Sequence, residues 1–132
     1  MQEVQKRKVI LLVDDLEFFL DTIVEILKEK YEVINARSGM EAIGLIIDGL
    51  IPDLILLDIV MPDMDGWLTY RRLKELCSDY NVPFAFVTSQ YGDAEVKHAY
   101  EAGVADYIRK PIQKTDFLGR VEKIIMENEV VK

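Results

Sequence analysis

The sequence of 132 residues predicts an α/β domain in which a five-stranded parallel sheet has helices on both faces. Short strand-like runs, most of them continuously apolar as in strands buried on both sides, recur five times along the chain. A segment with apolar residues at helical spacing follows each run. Because strands and helices alternate in this way, right-handed crossovers should place all strands parallel between two helical layers.

Size and composition indicate one folded domain. A chain of this length can bury a core without disulfides or metals, and 50% hydrophobic residues exclude intrinsic disorder. We expect a single domain over residues 1–132, with its core from about residue 8 to residue 127.

The net charge and the cysteine content limit the kinds of partner and the cellular compartment that we expect. A net charge of −8 argues against nucleic acid or an anionic membrane as a direct partner and favours cations. Cys77 is the single cysteine, so no internal disulfide can form, and we expect a cytoplasmic protein. The sequence has no apolar run of the length that spans a bilayer.

The first third of the chain predicts two strands and two helices. Residues 8–13 form an apolar strand, residues 16–28 have helical spacing, and residues 31–36 alternate as a second strand. Ser38 and Glu41 have the spacing of a capping box at the start of the second helix. The buried face of that helix should comprise Ile43, Ile46, Ile47 and Leu50.

The middle of the chain predicts two more strands around a third helix. Residues 54–57 are four uninterrupted apolar residues and should be a central, fully buried strand. Asp65 is placed to cap a helix that ends near Cys77. Residues 84–88 form the fourth strand. The inner side of the third helix should comprise Trp67, Tyr70, Leu73 and Leu76.

The last third predicts a short helix, the fifth strand and a final helix. Residues 93–102 form the weaker fourth helix, and Gly103 stands where a left-handed C-terminal cap is expected. Residues 104–108 form the fifth strand, and the last helix begins near Thr115. The buried face of the last helix should comprise Phe117, Leu118, Val121, Ile124 and Ile125.

Polar residues stand at the ends of several predicted strands. Asp14 and Asp15 follow the first strand, Asp58 the third, Thr88 ends the fourth and Lys110 follows the fifth. Each has an ordinary interpretation as a turn residue, a helix cap or a surface lysine. However, parallel strands bring their carboxyl ends to one edge, where open α/β sheets bind ligands. This convergence favours a functional site.

The residue types at this edge suit phosphoryl transfer to a carboxylate. Clustered carboxylates raise each other's pKa unless a cation neutralises them, and oxygen ligands without nearby His or Cys point to Mg²⁺. The metal and Lys110 would then offset charge on a phosphoryl group while Asp58 attacks it and forms an acyl phosphate.

The chain resembles the receiver domains of two-component response regulators. The resemblance extends over essentially the whole chain and rests on residues 13–15 (VDD), 58–66 (DIVMPDMDG), 87–89 (VTS) and 102–111 (AGVADYIRKP). It implies a flavodoxin-like fold with strand order 2-1-3-4-5. It also implies that Asp58 accepts a phosphoryl group from a histidine kinase or phosphotransfer protein, so the chain would be a signalling phosphoacceptor rather than an enzyme.

The resemblance also implies a role for each residue at the site. Asp15, Asp58 and the backbone carbonyl of Val60 would hold Mg²⁺, and Asp14 would act through water.

The switch is implied in the same way. Thr88 and Tyr107 would form the switch pair, and the Lys110–Pro111 bond would be cis. Phosphorylation would then change the surface of the fourth helix, the fifth strand and the fifth helix, which a downstream protein or a fused effector domain would recognise.

The start of the first helix departs from the receiver pattern. It has too many apolar residues for one buried face, and Leu20 stands where many receivers carry a basic residue. We therefore expect Leu16, Phe18 or Leu20 to form an apolar docking patch for the phosphodonor, with scattered surface residues as the alternative.

Other functional classes fit less well. A phosphorylation-silent, receiver-like interaction module remains the alternative, although all site residues are present. Flavin binding is disfavoured because residues 14–17 (DDLE) would repel a phosphate, and an aspartyl-phosphate hydrolase would need an acid at Val60. The sequence has no phosphate-binding loop of the nucleoside triphosphatases.

Overall fold

A parallel sheet between two helical layers forms the centre of the computed structural model, which describes residues 6–90 and 92–131. The strands of this part are β1 (Val9–Val13), β2 (Glu32–Ala36), β3 (Leu54–Leu57), β4 (Phe84–Thr88) and β5 (Asp106–Arg109). The helices are α1 (Glu17–Leu27), α2 (Gly39–Ile47), α3 (Gly66–Leu76), α4 (Asp93–Glu101) and α5 (Lys114–Val131). All strand pairs are parallel in the order β2-β1-β3-β4-β5, which confirms the predicted flavodoxin-like topology.

The sheet separates the hydrophobic core into two layers. One layer contains residues of α1 and α5, and the other contains residues of α2, α3 and α4. Successive residues of one strand point to opposite layers, so Leu11 lies in the second layer and Leu12 in the first. All four side chains of β3 are buried, as its uninterrupted apolar run predicts.

Side chains cap two of the helices as expected. The Ser38 hydroxyl accepts a hydrogen bond from the Glu41 N–H (3.0 Å), and Asp65 Oδ1 accepts one from the Leu68 N–H (2.9 Å). Gly103 has a φ of 103°, so the predicted left-handed cap after α4 is also confirmed.

Several predicted details of the fold are wrong. Leu50 is predicted on the face of the second helix, but α2 ends at Ile47. Ile47 and Leu76 were expected on inner faces, but their side chains are 66% and 42% exposed. Almost every residue of α2 is apolar, so its sequence does not distinguish the inner face, and Leu76 is the last residue of α3. The fifth strand begins at Asp106 rather than Val104, because Val104 belongs to the turn that follows Gly103.

Part of the predicted domain, comprising residues 1–5, Tyr91 and Lys132, lies outside the described residues. Of the helices that the structure describes, none has the length and apolarity needed to cross a membrane.

Candidate functional site

Three carboxylates meet at the carboxyl edge of the central strands. Asp14 follows β1 and Asp58 follows β3, and these strands are adjacent, with Val13 opposite Leu57. Each of Asp14, Asp15 and Asp58 offers a carboxylate oxygen, and these oxygens lie within 4.8 Å of one another. Asp14 and Asp58 are buried and Asp15 is half-buried. The sheet therefore brings together the acidic residues that the sequence predicted.

The ammonium of Lys110 joins this cluster from the edge strand. Its Nζ lies 2.7 Å from Asp14 Oδ2 and 3.4 Å from Asp58 Oδ2, and the side chain is only 12% exposed. The backbone N–H of Lys110 donates to the Thr88 carbonyl, and the Lys110–Pro111 peptide bond is cis. Because β4 separates β5 from β3, only a long side chain at this position can reach Asp58.

The electrostatics of the cluster favour a further cation. Burial raises the pKa of Asp14 above its ordinary value of 3.8, and the charge of Asp58 adds to this shift. Hydrogen bonds from Lys110 and from the Leu16 N–H oppose it. Among the described residues of the cluster, one ammonium faces three carboxylates. The three carboxylates offer hard oxygen ligands, which suit Mg²⁺.

The loop after Asp58 folds back onto the strand end. The Gly66 N–H donates to the Ile59 carbonyl (2.6 Å), and the Val60 N–H donates to Asp58 Oδ1 (3.3 Å). A Cβ at position 66 would collide with the backbone of Asp58 and Ile59, so the loop requires glycine there. The Val60 side chain is 52% exposed, which leaves its backbone as the part that the loop positions beside the carboxylate.

Thr88 and Tyr107 are connected through one backbone unit. The fully buried Thr88 hydroxyl accepts a hydrogen bond from the Gln90 N–H (3.2 Å), and the Tyr107 hydroxyl donates to the Gln90 carbonyl (2.6 Å). The Tyr107 ring is buried and meets the edge of Phe86 at a centroid distance of 6.2 Å. Sequence reasoning missed the linking role of Gln90, because it depends on the backbone and no residue type signals it.

The start of α1 exposes part of the predicted apolar patch. Leu16 is 54% exposed and Phe18 is 85% exposed, but Leu20 is 2% exposed and belongs to the core. The expectation is therefore wrong for Leu20. Phe18 borders an apolar cleft of about 370 Å³ beside Lys110. The cleft is lined by Phe18, Phe19, Thr22, Ser89, Lys110, Pro111 and Ile112.

Comparison with known proteins agrees with this architecture. Residues 10–122 match the model of the response regulator receiver domain. The chain is 35% identical over 119 residues to the chemotaxis protein CheY of Halobacterium salinarum, covering 89% of this chain and 97% of that protein. It is 34% identical to the response regulator PleD of Caulobacter vibrioides, where the match covers 87% of this chain but only 25% of PleD.

A solved structure extends the agreement to three dimensions. The CheY-like receiver domain protein from Methanospirillum hungatei JF-1 superimposes with a TM-score of 0.83 at 29% identity. The match covers 96% of this chain and 100% of that chain.

Proposed function

The chain belongs to the response regulator receiver domain family, and on this premise we propose that Asp58 accepts a phosphoryl group from a histidine kinase or a histidine phosphotransfer protein. The observation that carries the proposal is the convergence of Lys110 and two further carboxylates on Asp58. The chain would act as a signalling phosphoacceptor in the cytoplasm and catalyse only its own phosphorylation and dephosphorylation.

The carboxylate cluster is the proposed Mg²⁺ site. Asp15, Asp58 and the backbone carbonyl of Val60 would hold the ion, and Asp14 would hold it through water. The close spacing of the carboxylate oxygens and the absence of competing soft ligands from this described cluster support the assignment. When bound, Mg²⁺ neutralises the carboxylates and offsets negative charge on the transferring phosphoryl group.

Asp58 is the nucleophile in the proposed transfer. One of its oxygens attacks phosphorus, so an O–P bond forms while the N–P bond of the phosphohistidine breaks and its electron pair stays on the imidazole nitrogen. A carboxylate nucleophile has no proton to lose when it attacks, so no general base is required. The Lys110 ammonium donates to the phosphoryl oxygens and stabilises their charge.

Thr88 and Tyr107 would carry the signal away from Asp58. A phosphoryl group adds about −1.5 to −2 charges and three acceptor oxygens, which attract the Thr88 hydroxyl. Thr88 would then turn away from the Gln90 N–H. The carbonyl of the same residue accepts the hydrogen bond of the Tyr107 hydroxyl, so Tyr107 would be affected as well. The surface of α4, β5 and α5 would change as a result, and a downstream protein or a fused effector domain would bind the changed surface.

Intact mass measurement tests the proposed function. The protein is incubated with Mg²⁺ and acetyl phosphate, a donor that needs no protein docking. Wild type should gain one phosphoryl group, whereas Asp58→Asn, or wild type with excess chelator, should gain none. An unmodified wild type would contradict the proposal and favour a phosphorylation-silent interaction module.

Phe18 is the proposed contact for the phosphodonor protein, because it is largely exposed and borders the cleft beside Lys110. Phe18→Ala should slow transfer from a phosphorylated histidine phosphotransfer protein about tenfold. The reason is that the aromatic ring would be buried against the donor in the complex, and its loss would weaken docking. Its reaction with acetyl phosphate should not change. Ile47→Ala, which removes a similarly exposed apolar side chain from α2, is the matched control. Equal transfer rates for Phe18→Ala and wild type would exclude this contact.

A further inference from the structure

We propose that Phe19 is a positioning residue for Lys110, and that its ring face keeps the ammonium at the site during phosphoryl transfer. The inference rests on the proposed function of Asp58. The Lys110 Nζ lies 3.9 Å from the centroid of the Phe19 ring, well inside the range of cation–π attraction. Phe19 itself is half-buried in the first turn of α1, where it packs against the core layer that contains residues of α1 and α5.

The ring and the carboxylates hold the ammonium in different ways. Asp14 and Asp58 each bind it through one oxygen, at 2.7 Å and 3.4 Å. The shorter distance shows that the ammonium lies nearer to Asp14 than to the proposed phosphoacceptor. A ring face attracts a cation over its whole area, so the ammonium can turn from Asp14 towards Asp58 without leaving Phe19.

Charge changes at the site make this neutral partner more important. A divalent cation at the carboxylates would cancel their attraction for Lys110 and would itself repel the ammonium. The Phe19 ring carries no net charge, so its attraction persists. Lysine also has a flexible four-carbon stem and a strongly hydrated ammonium, which would otherwise favour release to solvent.

Two substitutions of Phe19 distinguish a role of its ring face from a role in packing alone. Phe19→Leu keeps an apolar side chain against the core layer but removes the aromatic face. Phe19→Tyr keeps both. A role confined to packing would leave these variants alike, whereas the proposed role distinguishes them.

NMR of the metal-free protein tests the contact itself. Protons on the Cε of Lys110 should be shifted upfield by the ring current of Phe19 in wild type and in Phe19→Tyr. The shift should be lost in Phe19→Leu. Wild-type Cε protons at ordinary lysine positions would overturn the assignment.

Titration with BeF₃⁻ in saturating Mg²⁺ tests the functional role, because BeF₃⁻ resembles a phosphoryl group and requires no donor protein. Phe19→Leu should raise the half-saturating BeF₃⁻ concentration about fivefold to tenfold, and Phe19→Tyr should stay within about twofold of wild type. Ile26→Ala, which truncates another half-buried α1 residue in the same core layer, should lose stability but bind BeF₃⁻ as wild type does.

The outcomes separate the two proposals. Wild type that does not bind BeF₃⁻ contradicts the proposed function and, with it, the role of Phe19. Wild type that binds, together with Phe19→Leu that binds equally well, contradicts the role of Phe19 alone.

Discussion

Asp14 is a buried carboxylate whose ionisation opposes folding. Burial is the largest influence on its pKa and raises it above 3.8, even though Lys110 donates a hydrogen bond to it. The folded state therefore binds the proton more tightly than the unfolded state does. Its contribution to stability declines as the pH rises from 3.8 through the raised pKa.

Asp14→Asn should for this reason stabilise the metal-free protein. We expect the free energy of unfolding at pH 7 to increase, because the amide needs no desolvation of a charge and can still accept the Leu16 N–H. Urea unfolding in the presence of a chelator measures the difference, which should shrink as the pH falls towards 3.8. A less stable variant at pH 7 would mean that the Lys110 ion pair outweighs the burial of charge.

Residue types at strand ends were sufficient to predict the acidic cluster and the approach of Lys110 to it. Residue types did not identify residues that contribute through their backbone or through the face of an apolar ring. Gln90 contributes its backbone, and Phe19 contributes a ring face in a helix that is apolar on several sides. The same excess of apolar residues made the expectation for Leu20 wrong, because periodicity alone did not separate its buried from its exposed residues.

At the scale of elements, the junction between β3 and α3 determines where the Asp58 carboxylate stands. Gly66 begins α3 directly against the backbone of Asp58 and Ile59, and its N–H binds the Ile59 carbonyl. The helix start and the strand end are thus in direct contact, so a side chain at Gly66 would separate them. Gly44 in α2 is different, because an added Cβ there would meet open space among the described residues.

Alanine at these two glycines should therefore have opposite effects. Gly66→Ala should destabilise the protein by about 1–3 kcal/mol through overpacking and should slow its reaction with acetyl phosphate. Gly44→Ala should stabilise it by about 0.5–1 kcal/mol, because alanine loses less backbone entropy in a helix. Thermal unfolding and intact mass kinetics measure both effects. Stabilisation by Gly66→Ala would contradict the close packing at this junction.

Element types and strand order were predictable because the alternation of strands and helices allows few topologies. The boundaries of the elements and the buried faces of the helices were less predictable. A turn follows Gly103, so β5 begins only at Asp106. The Tyr107 N–H then donates to the Asp106 side chain rather than to a neighbouring strand. Ile47 illustrates the second difficulty, since an almost uniformly apolar helix gives no periodic signal.

At the scale of the whole molecule, one carboxylate joins the elements of the proposed output surface. Asp106 in β5 accepts hydrogen bonds from the Tyr100 hydroxyl of α4 (3.0 Å) and from the Arg120 guanidinium of α5 (2.8 and 2.9 Å). It also accepts the N–H of Tyr107. A change at Tyr107 is therefore adjacent to contacts that hold α4, β5 and α5 together, which supports this surface as the one that changes.

The parallel sheet places Asp58 at the same edge as Asp14, Asp15 and Lys110. The most direct test of the proposed function asks whether the phosphoryl group resides on Asp58. After incubation with Mg²⁺ and acetyl phosphate, borohydride reduces an acyl phosphate to an alcohol, and peptide mass mapping locates the reduced residue. We expect homoserine in place of Asp58 and unmodified Asp14 and Asp15. Reduction at either of those two residues, or at no residue, would contradict Asp58 as the phosphoacceptor.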